Sequence, residues 1–179
     1  MEGSPPREHT ANLLGALALV LHDRMTEVFE YPENAAATLS ALLNFLHQPS
    51  VDRVHTVVGL TPSGTVRMID RLESDGRVTR GPGTDGRARY VRLTRRGRAA
   101  ARRVSDARGE VLQTALEPLS AEERRTLDNL LSRILVGMMR GPGAQRWMCR
   151  LCDMGACGRD EGRCPVATAA RERWAAERS

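Results

Sequence analysis

The sequence has 179 residues, of which 41% are hydrophobic and 27% charged, enough for one domain with a packed core and an appendage. Its longest uncharged apolar run, residues 13–21, has about half the length that a bilayer-spanning helix needs. The residues before this run mix Glu2 and Glu8 with Arg7, unlike the positively charged start of a secretion signal. These features exclude a membrane protein, and we expect a cytoplasmic one.

The positive charge is concentrated in the middle of the chain. The formal net charge is +5, and all 27 basic residues are Arg. Between Arg53 and Arg108 there are 14 Arg residues against five acids, a local balance of +9. A basic segment of this kind favours a polyanionic partner, most often nucleic acid, over the alternative of a merely solvated charged face.

The first part of the chain predicts two helices. Residues 1–10 are polar and contain two prolines, and we expect them to be flexible. From Asn12 to Glu30 and from about Asn34 to Gln48, apolar residues recur at steps of three and four, the spacing of an amphipathic helix. The apolar stripe of the first helix is wide, so we expect that helix to be largely buried.

Two short helices joined by a tight turn follow. Ser50 can cap the first helix, which ends at Gly59, and Thr61 can cap the second, which ends at Gly76. In the second helix, one apolar row would face the domain: Val66, Ile69 and Leu72. Two helices joined by a turn of about three residues are typical of a helix-turn-helix.

The second of these helices is the candidate for reading DNA. A recognition helix keeps an apolar row against its own domain and presents short polar and basic groups to the major groove. The residues left for that outer face are Ser63, Gly64, Thr65, Arg67 and Arg71. The alternative for the two arginines is an ion pair with Asp70 or Glu73 within the domain.

A hairpin follows the helix-turn-helix. Residues 77–80 and 87–94 are strand-like, and the Gly-rich segment 81–86 between them is typical of an extended hairpin loop. A hairpin in this position is the wing of a winged helix-turn-helix domain. The DNA-reading part therefore spans residues 50–94.

Two longer helices come next, from Arg95 to about Leu116 and from Ala121 to about Met139, the second behind a capping box of Ser120 and Glu123. The first and last helices of residues 11–140 carry more apolar surface than one small winged domain can cover, which predicts a second copy of the chain as partner. The fold class is mainly α with a small β-wing: a winged helix-turn-helix domain with a helical dimerisation region.

Residues 59–94 resemble the MarR family of winged helix-turn-helix regulators. The similarity rests on Gly59–Gly76, with Arg-Met-Ile-Asp-Arg-Leu at its centre, on Val78–Arg80, and on Asp85–Thr94, where Asp-x-Arg precedes Val-x-Leu-Thr. Together with the helix order over residues 10–140, the resemblance covers about three quarters of the chain.

This resemblance implies a homodimer joined through the first and the last two helices of the domain, with one winged domain on each half of a pseudo-palindromic operator. It also implies that Arg87 enters the minor groove of double-stranded DNA, that Asp85 holds Arg87 in place, and that Arg89 contacts a phosphate. The function that it implies is that of a sequence-specific transcriptional regulator, acting as a repressor.

The last segment, residues 141–179, is of a different kind. It contains all four cysteines of the chain, Cys149, Cys152, Cys157 and Cys164, in the spacing C-x2-C-x4-C-x6-C followed by Pro165. In a reducing compartment, four closely spaced thiols favour a metal site over disulfides. A structural zinc ion and an iron–sulfur cluster both fit this set, and metal-free redox thiols are the third alternative.

No grouping of residues typical of catalysis accompanies these motifs, so we expect no enzyme. We expect the regulator to respond to redox state, to a metal or to a small-molecule effector. The cysteine segment is either the sensor or a static staple for the dimer. Two other classes of protein remain open. One is a metal-cluster redox or electron-transfer protein, which would not bind duplex DNA in a salt-dependent way, and the other is a zinc-stapled protein-interaction module.

Overall fold

The computed structural model describes residues 7–82, 89–141 and 143–174. Its elements follow the chain in the order α1 (Arg7–Val28), α2 (Glu33–Asn44), α3 (Val51–Val58), α4 (Pro62–Ser74), β1 (Val78–Pro82), β2 (Arg89–Leu93), α5 (Arg95–Leu116), α6 (Ala121–Gly137), α7 (Ala144–Met148), α8 (Met154–Cys157) and α9 (Pro165–Arg173). The predicted fold class, mainly α with a small β-wing, is confirmed.

The predicted capping residues begin three of the helices. The Ser50 side chain accepts a hydrogen bond from the first turn of α3, and Thr61 does the same for α4. At α6, Ser120 and Glu123 each bind the other's backbone amide and complete the capping box. Because each cap satisfies an amide N–H that has no partner inside its helix, these side chains fix where the helices start.

Two helix boundaries differ from the prediction. Helix α1 begins at Arg7 and not at Asn12, so it takes in residues 7–10, which were expected to be flexible. Helix α2 ends at Asn44 and does not reach Gln48. Phe45, the residue after α2, has a φ of −153°, which lies outside the helical range, so the helix ends there.

The core of the winged domain is built around α2. Eight consecutive residues of this helix, 35–42, are buried, because α3, α4, α5 and β2 pack around it. The centre of the core consists of Leu39, Val54, Ile69 and Val91, whose exposed fractions are all 0%. Helix α2 therefore holds α4 and the wing together in one packed unit.

The wing is tied to the start of α5. β1 pairs antiparallel with β2, and the Thr94 hydroxyl that caps α5 donates a hydrogen bond of 2.7 Å to the Gly76 carbonyl. A Cβ atom at Gly97 would lie only 1.8 Å from the carbonyl oxygen of Arg77. A residue without a Cβ is therefore required where α5 begins against the wing.

Two helices carry several apolar side chains that stay 40% or more exposed in the single chain. On α1 these are Leu13, Leu14, Leu17, Leu19 and Val20, and on α6 they are Leu130, Leu131, Ile134, Leu135 and Met138, with exposed fractions between 40% and 66%. The prediction that the first helix is largely buried is therefore wrong for the single chain, because α1 packs mainly along α5. None of the described helices combines the length and hydropathy that a membrane span requires.

The cysteine-rich tail forms short helices around a small core of its own. This core contains Met139, Cys149, Cys164, Val166, Ala167 and Ala170. Helix α9 begins at Pro165, behind Cys164, whose sulfur accepts a hydrogen bond of 3.5 Å from the Ala167 amide. The tail packs against two parts of the preceding domain, with α9 against α6 and α7 against α3.

Candidate nucleic-acid interface and cysteine cluster

The outer side of α4 carries most of the side chains predicted to bind DNA. Ser63, Arg67 and Arg71 are exposed, and Gly64 is half-buried in the first turn. Successive positions four residues apart lie on one side of a helix, so the hydroxyl and the two guanidinium groups form one stripe. Such groups can donate hydrogen bonds to phosphate oxygens and to guanine edges.

The prediction that Thr65 belongs to this outer face is wrong. Its exposed fraction is 0%, whereas that of Val66, which was expected in the inward row, is 43%. The inward row is instead Thr65, Ile69 and Leu72. The Thr65 hydroxyl donates a hydrogen bond of 3.0 Å to the Thr61 carbonyl, and this bond within the helix allows a threonine to pack inward. Thr65 is therefore not available to contact DNA through its side chain.

Arg80 of β1 binds the two acids of α4. Its guanidinium lies 2.6 Å from Asp70 Oδ1 and 2.7 Å from Glu73 Oε2, and its backbone amide donates to Glu73 Oε1 at 2.8 Å. Arg67 and Arg71 make no ion pair within the part of the chain that the structure describes. The alternative in which they pair with Asp70 or Glu73 is therefore not observed.

Sequence reasoning missed the role of Arg80. The residue stands on a strand, so helix spacing does not connect it with the acids of α4, and only the close approach of β1 to α4 brings them together. Its side chain is 14% exposed, which marks it as a structural arginine. Because it occupies the acidic side chains of α4, the exposed arginines of that helix keep their charge unneutralised.

One of the three residues predicted for the wing contact stands in the described part of the hairpin. Asp85 and Arg87 lie outside the described residues, and Arg89 stands at the first position of β2, opposite Pro82 in the register of the hairpin. Arg89 is thus placed at the loop end of the wing. Farther along β2, Arg92 donates a hydrogen bond of 2.7 Å to Gln48 Oε1, which joins the wing to the segment between α2 and α3.

The four cysteines converge where the tail meets α6. Cys149 and Cys164 are buried, Cys152 and Cys157 are half-buried, and all four thiols are free. Together with side chains of α6 they line one cavity of about 680 Å³. They interact in two pairs, Cys149 with Cys152 and Cys157 with Cys164. All four cysteines therefore lie around one cavity of the fold.

The surroundings of the thiols shift their pKa values in opposite directions. Hydrogen bonding to Cys149 lowers the pKa of Cys152 to about 6, and nearby arginines add to this effect. The same hydrogen bond, together with burial, raises the pKa of Cys149. Burial and hydrogen bonding to Cys164 raise the pKa of Cys157 to about 12.

Arginines lie close to the thiols on several sides. Arg108 of α5 lines the cavity. The positive charges of Arg108, Arg159 and Arg150 each lower the pKa of Cys152. Arg159 Nη1 is buried and has no hydrogen-bond partner among the described residues. Leaving a buried charged donor without an acceptor is costly, so this part of the tail is suited to a neighbouring negative charge.

Four thiols are suitable ligands for a metal, but in this structure their sulfur atoms are not arranged around a common coordination point. Across residues 7–82, 89–141 and 143–174, no three Cys, His, Asp or Glu side chains are placed as a set of metal ligands. Four cysteine sulfurs are nevertheless the donor set that zinc and iron–sulfur clusters take.

The tail also contacts the helix-turn-helix. A Cβ atom at Gly59, which ends α3 with a φ of 71°, would lie 3.2 Å from Trp147 Nε1. Arg150 stacks on this indole, with 4.7 Å between its Cζ atom and the ring centroid. The same guanidinium lies 3.3 Å from Glu33 Oε1 at the start of α2, and Leu151 packs against the core of the winged domain. The tail thus bridges α6 with α2 and the end of α3.

A separate cavity lies between the α1–α2 junction and α5. Its volume is about 240 Å³, and Val28, Tyr31 and Arg103 are among its lining residues. Arg103 binds Glu30 through two hydrogen bonds of 3.0 Å, and this hydrogen bonding lowers the pKa of Glu30. Ligand pockets usually start at about 300 Å³, so this cavity suits only a small effector.

No protein-family model matches the sequence, and no curated protein matches it. Solved structures do match. A MarR family protein from Bacillus stearothermophilus is 23% identical, with a TM-score of 0.67 over 76% of this chain and 100% of that one. Wild-type MarR from E. coli is 22% identical, with a TM-score of 0.58 over 74% of this chain and 99% of that one. The PcaV transcriptional regulator from Streptomyces coelicolor is 26% identical, with a TM-score of 0.51 over 75% and 96%.

Each of these superpositions spans nearly all of the other protein and leaves about a quarter of this chain outside. In this chain a two-stranded hairpin follows the helix-turn-helix, and two longer helices follow the hairpin. The chain therefore has the winged helix-turn-helix fold of MarR-family transcriptional regulators, which are not enzymes.

Proposed function

We propose that this protein is a transcriptional regulator that binds double-stranded DNA. The observation that carries the proposal is the outer side of α4, where Ser63, Arg67 and Arg71 are exposed while Arg80 binds the two acids of the same helix. Helix α4 is the second helix of the helix-turn-helix, the position from which a recognition helix enters the major groove.

In this proposal the N-terminal part of α4 approaches the bases most closely. Gly64 has no side chain to hold the helix away from DNA, and Ser63 beside it can donate a hydrogen bond to a phosphate. Arg67, one turn further, can reach a guanine edge or a phosphate. Arg71 follows on the same stripe and extends the positive surface along the DNA backbone.

The wing supplies the second set of contacts in this proposal. By its resemblance to the family pattern, Arg87 enters the minor groove and Asp85 holds it there, and Arg89 contacts a phosphate. The position of Arg89 at the loop end of β2 supports this assignment, because the loop end is the part of the hairpin that lies farthest from α5.

The regulator acts in this proposal as a homodimer on a pseudo-palindromic operator. The uncovered apolar side chains of α1 and α6 support a second copy as the partner, since apolar patches of this kind mark protein interfaces. A dimer with twofold symmetry presents two recognition helices to two half-sites of opposite direction. The operator should therefore be an inverted repeat.

We further propose that the protein is a repressor whose DNA binding changes with an effector. A protein bound at an operator excludes other proteins from the same stretch of DNA. The cavity beside Arg103 lies between α5 and the α1–α2 junction, so a small molecule there would act between the dimer helices and the winged domain. The PcaV structure contains that protein's natural ligand, which supports a small-molecule effector here. The cysteine segment is the other candidate sensor.

Selection of duplexes from a random DNA pool by the full-length protein tests this function. We expect the bound pool to converge on an inverted repeat with half-site centres about one helical turn apart. Binding of a labelled selected duplex should weaken steeply as salt rises, with two chains on each duplex. A pool without a common sequence would contradict the proposal, and absence of salt-dependent duplex binding would favour a redox or protein-interaction role.

The variant Arg67→Ala is the matched test of the α4 surface. Its affinity for the selected duplex should fall by about 1–3 kcal/mol, the range for one good nucleic-acid contact. Arg125→Ala is the control, because Arg125 is also an exposed helical arginine but belongs to α6. Equal affinities of the two variants at fixed salt would remove α4 from the interface.

A further inference from the structure

The four thiols stand together in the fold although they belong to different local structures. Cys149 follows α7, Cys152 lies in the next turn, Cys157 ends α8 and Cys164 caps α9. All four line the same cavity against α6. A tail with so small a core has few apolar contacts to hold such an arrangement, and a shared ligand of the four sulfurs would stabilise it.

The charges around the thiols favour an anionic centre. Four thiolates bound to a divalent cation carry a net charge of about −2, as simple charge counting gives. Arg108, Arg150 and Arg159 lie near the sulfurs, and Arg159 Nη1 is a buried donor without a partner among the described residues. An anionic centre would offset the charge of these guanidinium groups and give the buried nitrogen an acceptor.

The position of the tail connects this cluster with DNA reading. On one side α9 packs against α6, and Arg173 Nη1 donates a hydrogen bond of 3.2 Å to the Val136 carbonyl. On the other side Trp147 lies against Gly59 at the end of α3, and Arg150 pairs with Glu33 of α2. The cysteines lie between these two anchor points in the sequence.

We propose that Cys149, Cys152, Cys157 and Cys164 bind a metal as a four-thiolate centre, and that this centre clamps α3 of the helix-turn-helix to α6. Metal binding forms four metal–sulfur bonds, and each thiol that is still protonated breaks its S–H bond and releases one proton to the solvent. The donor set is shared by a Zn²⁺ ion and by an iron–sulfur cluster. The effect of the centre on DNA rests on the proposed function, whereas metal binding does not.

The metal content of full-length protein purified without oxygen tests the first part. A colourless protein with about one zinc per chain supports the Zn²⁺ form of the centre. A brown protein with iron and acid-labile sulfide supports the cluster form. If neither metal is present, reduced protein is titrated with Co²⁺. Thiolate-to-cobalt absorption bands would then support the site, and their absence would overturn it.

Cys157→Ser and Cys164→Ser test whether the cysteines are the ligands. Each should lose most of the bound metal, whereas the control Asp160→Asn should retain it, because Asp160 is an exposed residue of the same segment. Retention of the full metal content in both cysteine variants would overturn the assignment. If a cysteine variant does not fold, the metal content of the wild-type protein still tests whether the centre exists.

The clamp is tested on α3 and on DNA in the same wild-type protein with and without metal. Removal of the metal should speed hydrogen exchange of the α3 amides and weaken binding to the selected duplex by about tenfold, within the usual range of coupling between sites. Equal exchange and equal affinity in both forms would overturn the clamp and leave the regulator intact. A protein that holds metal and binds no duplex in either form would instead overturn the proposed function.

Discussion

Arg80 binds Glu73 at two points, because its guanidinium and its own backbone amide reach the two oxygens of one carboxylate at 2.7 and 2.8 Å. The same side chain also pairs with Asp70. The arrangement fixes the C-terminal half of α4 to the first strand of the wing. Helix α4 and the wing are thus joined to each other directly and not only through the core.

We expect Arg80→Ala to destabilise the protein by roughly 1–2 kcal/mol. Hydrogen bonds to charged groups contribute on this scale, and the partial exposure of both acids reduces their effect. Urea unfolding followed by circular dichroism measures the change, with Arg125→Ala as control. The substitution should also weaken DNA binding, because it leaves Asp70 and Glu73 as unpaired negative charges on α4. Unchanged stability would show that the packing of β1 alone holds the wing.

Gly97→Ala should destabilise the protein by about 3 kcal/mol, which is the upper end of the range for an overpacked position. The added Cβ would lie 1.8 Å from the Arg77 carbonyl oxygen, so the start of α5 must move away from the wing. Gly109→Ala is the matched control on the same helix, since nothing lies within 4 Å of a Cβ there. It should stabilise the protein by about 0.5–1 kcal/mol. Thermal unfolding of the two variants gives the comparison.

Thr65→Val should leave the affinity for DNA unchanged within about twofold, the range of a near-neutral change. The Thr65 side chain is buried and its hydroxyl binds the Thr61 carbonyl, so the substitution removes no group from the outer side of α4. Titration of the selected duplex measures this affinity, with circular dichroism to verify the fold. A tenfold loss with an intact fold would return Thr65 to the DNA-binding surface.

Leu17→Glu should convert the proposed dimer into monomers. Leu17 is 50% exposed on the apolar side of α1, and a carboxylate placed within an apolar interface pays a large desolvation cost. Sedimentation velocity at matched concentrations measures the oligomeric state. Arg125→Glu, a charge change on the exposed polar side of α6, should remain dimeric. A dimer in both variants would place the interface elsewhere.

Arg87→Ala should weaken operator binding by about 1–3 kcal/mol. The expectation rests on the resemblance of the wing to the family pattern, in which this arginine enters the minor groove. Affinities of wild type and variant should be compared at one fixed salt concentration. Equal affinities would show that the wing of this protein does not read DNA through Arg87.

Local chemistry made much of the fold predictable from the sequence. Ser50, Thr61 and Ser120 begin helices through bonds within four residues of themselves, so their positions do not depend on the rest of the chain. The gathering of the cysteines was likewise visible in their spacing. Neither property requires knowledge of how distant elements pack.

Features that depend on packing between elements were not predictable in this way. Thr65 and Val66 are neighbours that fit the helical period almost equally well, and only the approach of α2 and its surroundings decides which one turns inward. Arg80 meets its acids across two elements. The exposure of α1 depends on how this helix packs along α5, and the docking of Trp147 against the end of α3 has no periodic signal in the sequence.

The chain contains two tryptophans, and the fold places them at opposite ends of the cysteine segment. Trp147 lies under Arg150 and against Gly59, and Trp174 packs on the small core of the tail. All indole emission of the protein therefore originates beside the cysteines, with one ring also touching the end of α3. Tryptophan fluorescence, read as emission wavelength and intensity, therefore reports on the surroundings of the tail and of the end of α3 without an added dye.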